Sequence, residues 1–575
     1  MSRFLLALAL VGAAGALPAA ELASQLRRPV GLAPLADGQF WCAANRDSGT
    51  LSVVDLVAGR VIREVKIGAR LSDLVAVPGT NRLLATDEAA HELIFLDCTG
   101  GEVRVEERLG ISPYPVSICL SVDGKLASIG SLWSRRLTFV DLTGEPRIAR
   151  VIDLPFAPRT QLLLAGRNRL IVGDAFGGQL AIVDPAEQTL LGVRQFPGHN
   201  IRGLGHSPDG KMLIVAHQLI NDLAHSIRND IHWGLLMSND LRWLEVDAVL
   251  AGGKELYHGA HMHPLGEAGR GGGDPGSLAV AASGTVCVAI SGVHEVAIGK
   301  EGDFSMQRLT VGRRPTAVRI AADGRTAFIA NTLDDSISVV DLTERQVTKT
   351  ISLGPLPGLS LAQQGELLFY DARLSHDNWM SCHSCHTDGH TSGERNDNFS
   401  DKSFGAPKRV LSLLGVRDTL PLAWNGQVQT IQRQIENSVE KTMQREEPLP
   451  REEVKALVAY LQTLETPPSL DALRGTADVA AIDRGRSVFA ARDCHACHAA
   501  PNYTTPETYD VGITDSQGNK QFNPPSLRGL SQRGPYFHDN SAATLEEVFQ
   551  KHRHPSGTKM SADEIRDLAA FLRSL

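Results

Sequence analysis

Two short stretches carry residues that could do chemistry without help from elsewhere in the chain: Cys382-His383-Ser384-Cys385-His386 and Cys494-His495-Ala496-Cys497-His498. In Cys-x-x-Cys-His the two thiols can add to the vinyl groups of a haem, and the adjacent His becomes the proximal ligand of its iron. Cys382, Cys385 and His386 are thus expected to hold one covalent c-type haem, and Cys494, Cys497 and His498 a second. His383 and His495 occupy x positions and are not read as ligands. The alternative, one zinc held by the four thiols together, does not explain why each motif is complete with its His.

A second concentration of possible ligands lies between His199 and His263. Eight of the nineteen histidines fall there: His199, His206, His217, His225, His232, His258, His261 and His263. Imidazole is the commonest metal ligand side chain, and His258-x-x-His261-x-His263 could chelate, although its spacing matches no specific site. The other reading is that these residues form loops packed against the haem domains. The Gly-rich run from Gly266 to Gly276 reads as a flexible loop.

The elements that must position these groups fall into two kinds. Each haem motif follows a helix-like segment, Gly365-Glu366-Leu367-Leu368-Phe369 or Gly485-Arg486-Ser487-Val488-Phe489. At a similar distance beyond each motif comes an amphipathic helix, Glu453 to Leu461 and Glu564 to Leu572, with one apolar face to bury. This predicts two tandem all-α cytochrome c domains, 355–468 and 469–575, with Pro467-Pro468 at the joint. Before them, β-rich runs end in a hydrophobic-Asp pair: Val54-Asp55, Leu96-Asp97, Val140-Asp141, Val183-Asp184 and Val340-Asp341. The first four recur every 42 to 44 residues, the length of one four-stranded propeller blade. Asp-Gly pairs at 37, 123, 209 and 323 mark tight hairpins. The gap before Asp341 takes three more blades and an insertion of about 28 residues. The reading is an all-β propeller of seven blades over 21–354.

The chain opens with Arg3, an apolar run from Phe4 to Leu17, and then Ala19 and Ala20 before Glu21, the order of a secretory signal peptide over 1–20. An exported, periplasmic protein is expected, with no integral membrane segment after signal removal. The formal net charge of -8 and the lack of a basic stretch exclude a nucleic-acid partner. Cys42, Cys98, Cys119 and Cys287 lie in strand-like runs, where they could pair in an oxidising compartment or serve as small buried residues.

Ala330-Asn331-Thr332 followed by Ser336 to Asp341 resembles the YVTN family of β-propellers. The last part of the chain, from about 357 to 575, resembles the bacterial di-haem cytochrome c peroxidase superfamily, which includes the oxidase that matures methylamine dehydrogenase. The resemblance rests on Trp424-Asn425-Gly426 with Gln434 in the first domain. In the second it rests on Pro525 to Gly529, Gly534-Pro535-Tyr536-Phe537-His538-Asp539-Asn540 and Thr544-Leu545-Glu546-Glu547-Val548. It implies that the first haem is peroxidatic, that the second passes it electrons, that Trp424 bridges the two, and that Gln434 lines the distal pocket.

The departures from that pattern carry their own expectations. Where the family peroxidases place a distal Glu just before a Met, Thr442 precedes Met443, and Glu440 is the nearest carboxylate. A Gln cannot shuttle protons, so either Glu440 does this work or peroxide turnover is slow. The detachable distal His falls near Lys402, where there is none, leaving His390 as the one nearby alternative. The second haem's distal ligand, Met or Tyr in relatives, aligns with His552, and His554 is the alternative. A His/His haem has a lower potential than a His/Met one. The interdomain calcium ligands align near Val410 and Arg533, so calcium is not expected. Together these features read as a periplasmic di-haem peroxidase or oxidase that reduces hydrogen peroxide. Its propeller would dock a small redox protein as electron donor, or a protein substrate, and a homodimer is possible. The alternatives are an oxidase that modifies a partner protein and a non-enzymatic electron carrier or redox sensor.

Overall fold

In a computed structural model, residues 25–575 are described apart from Asp37, Lys254 and Ser556. The signal-peptide reading of 1–20 lies outside the described residues. Strands from Pro29–Pro34 to Gln346–Ser352 form seven consecutive four-stranded antiparallel sheets, paired in sequence order. The predicted seven-bladed propeller is therefore present.

Its repeats are physical as well as sequential. The Asp of each hydrophobic-Asp pair closes the hairpin between third and fourth strands. Asp55 Oδ1 accepts the amides of Val57 and Ala58, and Asp184 and Asp341 do the same for the two residues in their own turns. Such Asx turns are why Asp recurs there. At the Asp-Gly turns, Asp123, Asp209 and Asp323 cap the amide two residues on.

Alternate side chains of each strand enter the clusters on either side of a blade, as a period of two requires. In Phe40–Asn45, Trp41 and Ala43 pack toward the last blade, and Cys42 and Ala44 toward the second. Seven such inter-blade clusters close the circle. Every blade is completed by its own contiguous segment, so closure rests on packing. Trp41 meets Phe328 at 4.2 Å between ring centroids, and the amides of Arg27 and Arg28 donate to Asp335. The four propeller cysteines serve as small apolar side chains in or against these clusters.

The extra residues fall in and just after the fifth blade: in its second hairpin, in the segment before its last strand His261–Pro264, and in the run between that strand and Pro275. The Gly266 to Gly276 run is packed rather than open. The amides of Gly271 and Gly273 donate to the carbonyls of Asp377 and Asn378, and a Cβ on Gly271 would collide with the Trp379 backbone. Glycine is there for close approach.

The remaining chain repeats one helical unit. Leu361–Phe369 crosses Arg451–Leu461, and Val479–Ala491 crosses Ala562–Ser574. Both crossings pass over a glycine: a Cβ on Gly365 would strike the Ala456 carbonyl, and one on Gly485 that of Asp567. Two all-α units thus follow the all-β propeller. No helix among the described residues is long and apolar enough to cross a membrane.

Candidate di-haem site

The first motif forms a short helix, Cys382–Cys385, held from below by the propeller. Ser381 and Ser384 donate through their hydroxyls to Asp274, at 2.5 and 2.6 Å, and His199 Nε2 donates to the Ser384 carbonyl at 2.9 Å. Asp274 immediately precedes Pro275, the first residue of an inner strand. Arg28, Tyr114, Ala157 and Arg314 stand in the same place before Pro29, Pro115, Pro158 and Pro315. These leading ends form the rim on which the haem domain sits. Arg28 pairs with Glu366 at 2.9 Å, and Arg314 lies 3.2 Å above the Tyr370 ring.

At the rim's centre Asp388, two residues past His386, is met by Arg202 at 2.8 Å and Arg314 at 3.6 Å. Burial alone would raise this carboxyl, but Arg202, His383, Arg159 and Arg314 outweigh it and hold it well below the usual range. His383 turns into the same interface, where its Nδ1 accepts the Asp388 amide. His495 pairs with Asp493 at the surface.

Both expected proximal ligands are oriented alike. His386 Nδ1 donates to the Leu411 carbonyl at 2.9 Å, and His498 Nδ1 to that of Tyr503 at 3.2 Å. This fixes the tautomer that leaves Nε2 as the free donor atom for a metal. One continuous cavity is lined by Cys382, Cys385 and His386 together with Cys494, Cys497 and His498. Thiol pairs and tautomer-fixed imidazoles on one apolar-walled cavity fit two covalently attached haems.

The structure separates the other expected residues. Trp424 and Gln434 line the cavity. Trp424 is buried at the joint between the two helical units: its Nε1 donates to the Arg409 carbonyl at 2.8 Å, its own carbonyl accepts from Asn523, and its ring lies 6.3 Å from His538. Gln434 donates from Nε2 to Ser438 at 3.0 Å, and its Oε1 has no partner. Glu440 is exposed on the π-helical turn Ser438–Thr442 and lies outside the cavity, whereas Thr442 and Met443 line it. The side chain expected to move protons therefore points to solvent, because the turn presents its alternate face to the cavity.

His552 is also displaced from its expected role. Its Nε2 donates to the Ser541 carbonyl at 3.0 Å and it does not line the cavity, while His554 does. Burial, and then the neighbouring His498 and His552, hold the His554 imidazole down to about 4, and its Nδ1 has no partner. His390 is spoken for: Nε2 donates to the Gln532 carbonyl and Nδ1 accepts from Ser412.

At the joint between the helical units, two guanidinium groups tie them together. Arg533 donates to the carbonyls of Leu414 and Ser526, at 3.0 and 3.1 Å, and Arg409 to that of Arg533 at 2.6 Å. Burial lowers both to about 10, so both are charged at neutral pH.

The His258-x-x-His261-x-His263 chelate does not form. His263 accepts from Trp243 Nε1 and donates to the Asp303 carbonyl, His261 pairs with Glu301, and His258 is exposed. Sequence reasoning missed Asp274, Asp388, Arg202, Arg314 and Arg409. The recurring residue before proline could have pointed to Asp274 and Arg314; nothing local marks the others.

Residues 360–471 match the family model for di-haem cytochrome c peroxidase, and residues 482–575 that for cytochrome c. With the geometry above, the helical part of the chain is an oxidoreductase module with two c-type haem units, the first similar to di-haem cytochrome c peroxidase, behind a seven-bladed propeller. Among its relatives, Methylamine utilization protein MauG of Methylorubrum extorquens is 27% identical, with 37% of this chain and 76% of the relative covered. Cytochrome c551 peroxidase of Nitrosomonas europaea is 26% identical, over 37% of this chain and 79% of that protein. Of solved structures, Kuenenia stuttgartiensis hydrazine synthase covers 55% of this chain and 96% of its own, at 18% identity and a TM-score of 0.48.

Proposed function

We propose that the protein is a periplasmic di-haem oxidase or peroxidase in which electrons enter at the His498 haem, pass Trp424, and are used at the His386 haem on hydrogen peroxide. The observation that carries this reading is the single cavity shared by both motifs, with Trp424 on its wall at the joint of the two helical units. Bound haem supplies the redox chemistry, and two electrons and two protons convert one peroxide into two waters.

The residues present divide the work. His386 and His498 offer Nε2 to iron, held by the Leu411 and Tyr503 carbonyls. His554, neutral and inside the cavity, would serve as a second ligand to a haem held by His498; His552 steadies the loop through Ser541. At the first haem, the free Oε1 of Gln434 accepts an O–H of peroxide and orients it. No carboxylate stands at the Thr442 position to move that proton, and Glu440 faces solvent.

That last observation favours a second reading within the same class. Peroxide is turned over slowly, and the oxidising equivalents are spent on a partner protein. The propeller's rim is occupied by the chain's own haem domain, so a donor or protein substrate would dock elsewhere on the molecule.

Low-temperature EPR of the oxidised protein tests the proposal. One high-spin and one low-spin bis-His haem are expected, with the high-spin signal lost on adding peroxide. Two low-spin haems indifferent to peroxide would overturn it and leave an electron carrier or sensor.

A further inference from the structure

The long second hairpin of the fifth blade carries the short helix Arg228–His232 up to the haem domain. There Ile220, Ala224, Ile231, Leu236 and Met237 bury Leu374, Trp379 and Met380, just ahead of the first haem motif. At the edge of this apolar contact three potential ligands converge, one from the propeller and two from the haem domain. His232 Nδ1 lies 2.7 Å from Asp377 Oδ2, and His376 Nε2 lies 3.4 Å from the same oxygen. One ligand atom from each residue falls within 4.8 Å of the others.

We propose that His232, His376 and Asp377 form a divalent transition-metal site, of the zinc class, that fastens the propeller insertion to the first haem domain. Three points favour a metal over a plain ion pair. Two imidazoles and one carboxylate are the donor set that suits such an ion, with the remaining position left to water. Ligand atoms around tetrahedral zinc lie about 3.4 Å apart, so the His376 contact already fits and the His232 contact need only open slightly. The backbone holds Asp377 and Asn378 in succession in the left-handed region, at φ of 55° and 66°. That is a strained arrangement for non-glycine residues, and it turns one carboxylate onto two rings. All three side chains are partly exposed, which leaves the site open to metal from solvent. This inference does not depend on the reaction proposed above.

The test is calorimetric titration of Zn²⁺ into the full-length haem-loaded protein after dialysis against a chelator, with the thermal unfolding midpoint followed in parallel. One equivalent should bind and raise the midpoint. His232→Ala and His376→Ala should each weaken that binding by about tenfold or more while keeping the haem absorption spectrum. His258→Ala, in the same His-rich stretch but exposed and apart, should bind like the parent. Absence of a saturable single site, or undiminished binding in either of the two ligand variants, would overturn the assignment.

Discussion

At the scale of single residues, the haem-binding part of the protein is governed by which side chains face the cavity. His552 and His554 are two positions apart, yet only His554 reaches the cavity, because the Ser541 carbonyl holds His552. Replacing His554 by Ala should abolish the low-spin bis-His EPR signal, and His552→Ala should leave it in place. His554→Met should raise the potential of that haem, since a thioether favours the reduced iron; redox titration reads this directly. Thr442 gives a complementary prediction. It lines the cavity where an acid-base group would act and at present donates to Asn398. Thr442→Glu should increase steady-state peroxide turnover by about tenfold or more, within the range positioned acid-base groups supply. Glu440→Gln should leave turnover unchanged, because that carboxylate is already in solvent.

Among the helices, one packing device appears twice. Gly365 and Gly485 each sit where the helix before a haem motif crosses the helix that closes the unit, against the carbonyls of Ala456 and Asp567. A methyl group at either place has nowhere to go, and overpacking of this kind typically costs about 1 to 3 kcal/mol. Gly365→Ala and Gly485→Ala should therefore both lower the unfolding midpoint and loosen the haem they flank, seen as a changed Soret band and faster loss of protection in hydrogen exchange. The first two thirds of the chain show the same economy of means. Asp at the end of a third strand and Asp in an Asp-Gly turn are hairpin caps, so the repeat visible in sequence is the hydrogen bonding of the turns.

At the scale of the whole molecule, the propeller and the first haem domain are one construction. Asp388, about a quarter exposed, is set among Arg202, Arg314 and Arg159 on the propeller rim, and removing this carboxylate leaves its part-buried partners unpaired, a loss of about 1 to 3 kcal/mol. Asp388→Asn should lower thermal stability by that order and shift the potential of the His386 haem, with little effect on the other haem. The apolar contact around Trp379 and Ile231 adds a second tie. The haem part cut free at Pro355 should accordingly expose this surface and aggregate, as size-exclusion chromatography would show, whereas the two haem units, tied by Arg409 and Arg533, should stay together.

Sequence alone determined what is written in local spacing. The candidate haem attachment residues could be read from Cys-x-x-Cys-His because the expected ligand and both thiols lie close together in one short stretch of chain. Seven blades follow from the Asp repeat because each blade is a contiguous segment with its own turns. Trp424 and Gln434 came from a resemblance, and the fold brings both to the cavity. Only the tertiary structure decided the rest, since it depends on which elements meet. The Gly266 to Gly276 run looks like loose chain until Trp379 is laid against it, and the His-rich stretch looks like one chelate until His263 is spent on Trp243 and Asp303. Which of Glu440 and Thr442, or of His552 and His554, faces inward is set by the pitch of a turn and one backbone carbonyl. Asp388 pairs with Arg202, 186 residues earlier along the chain, a pairing no local pattern encodes because it exists only where the rim of a propeller receives a haem domain.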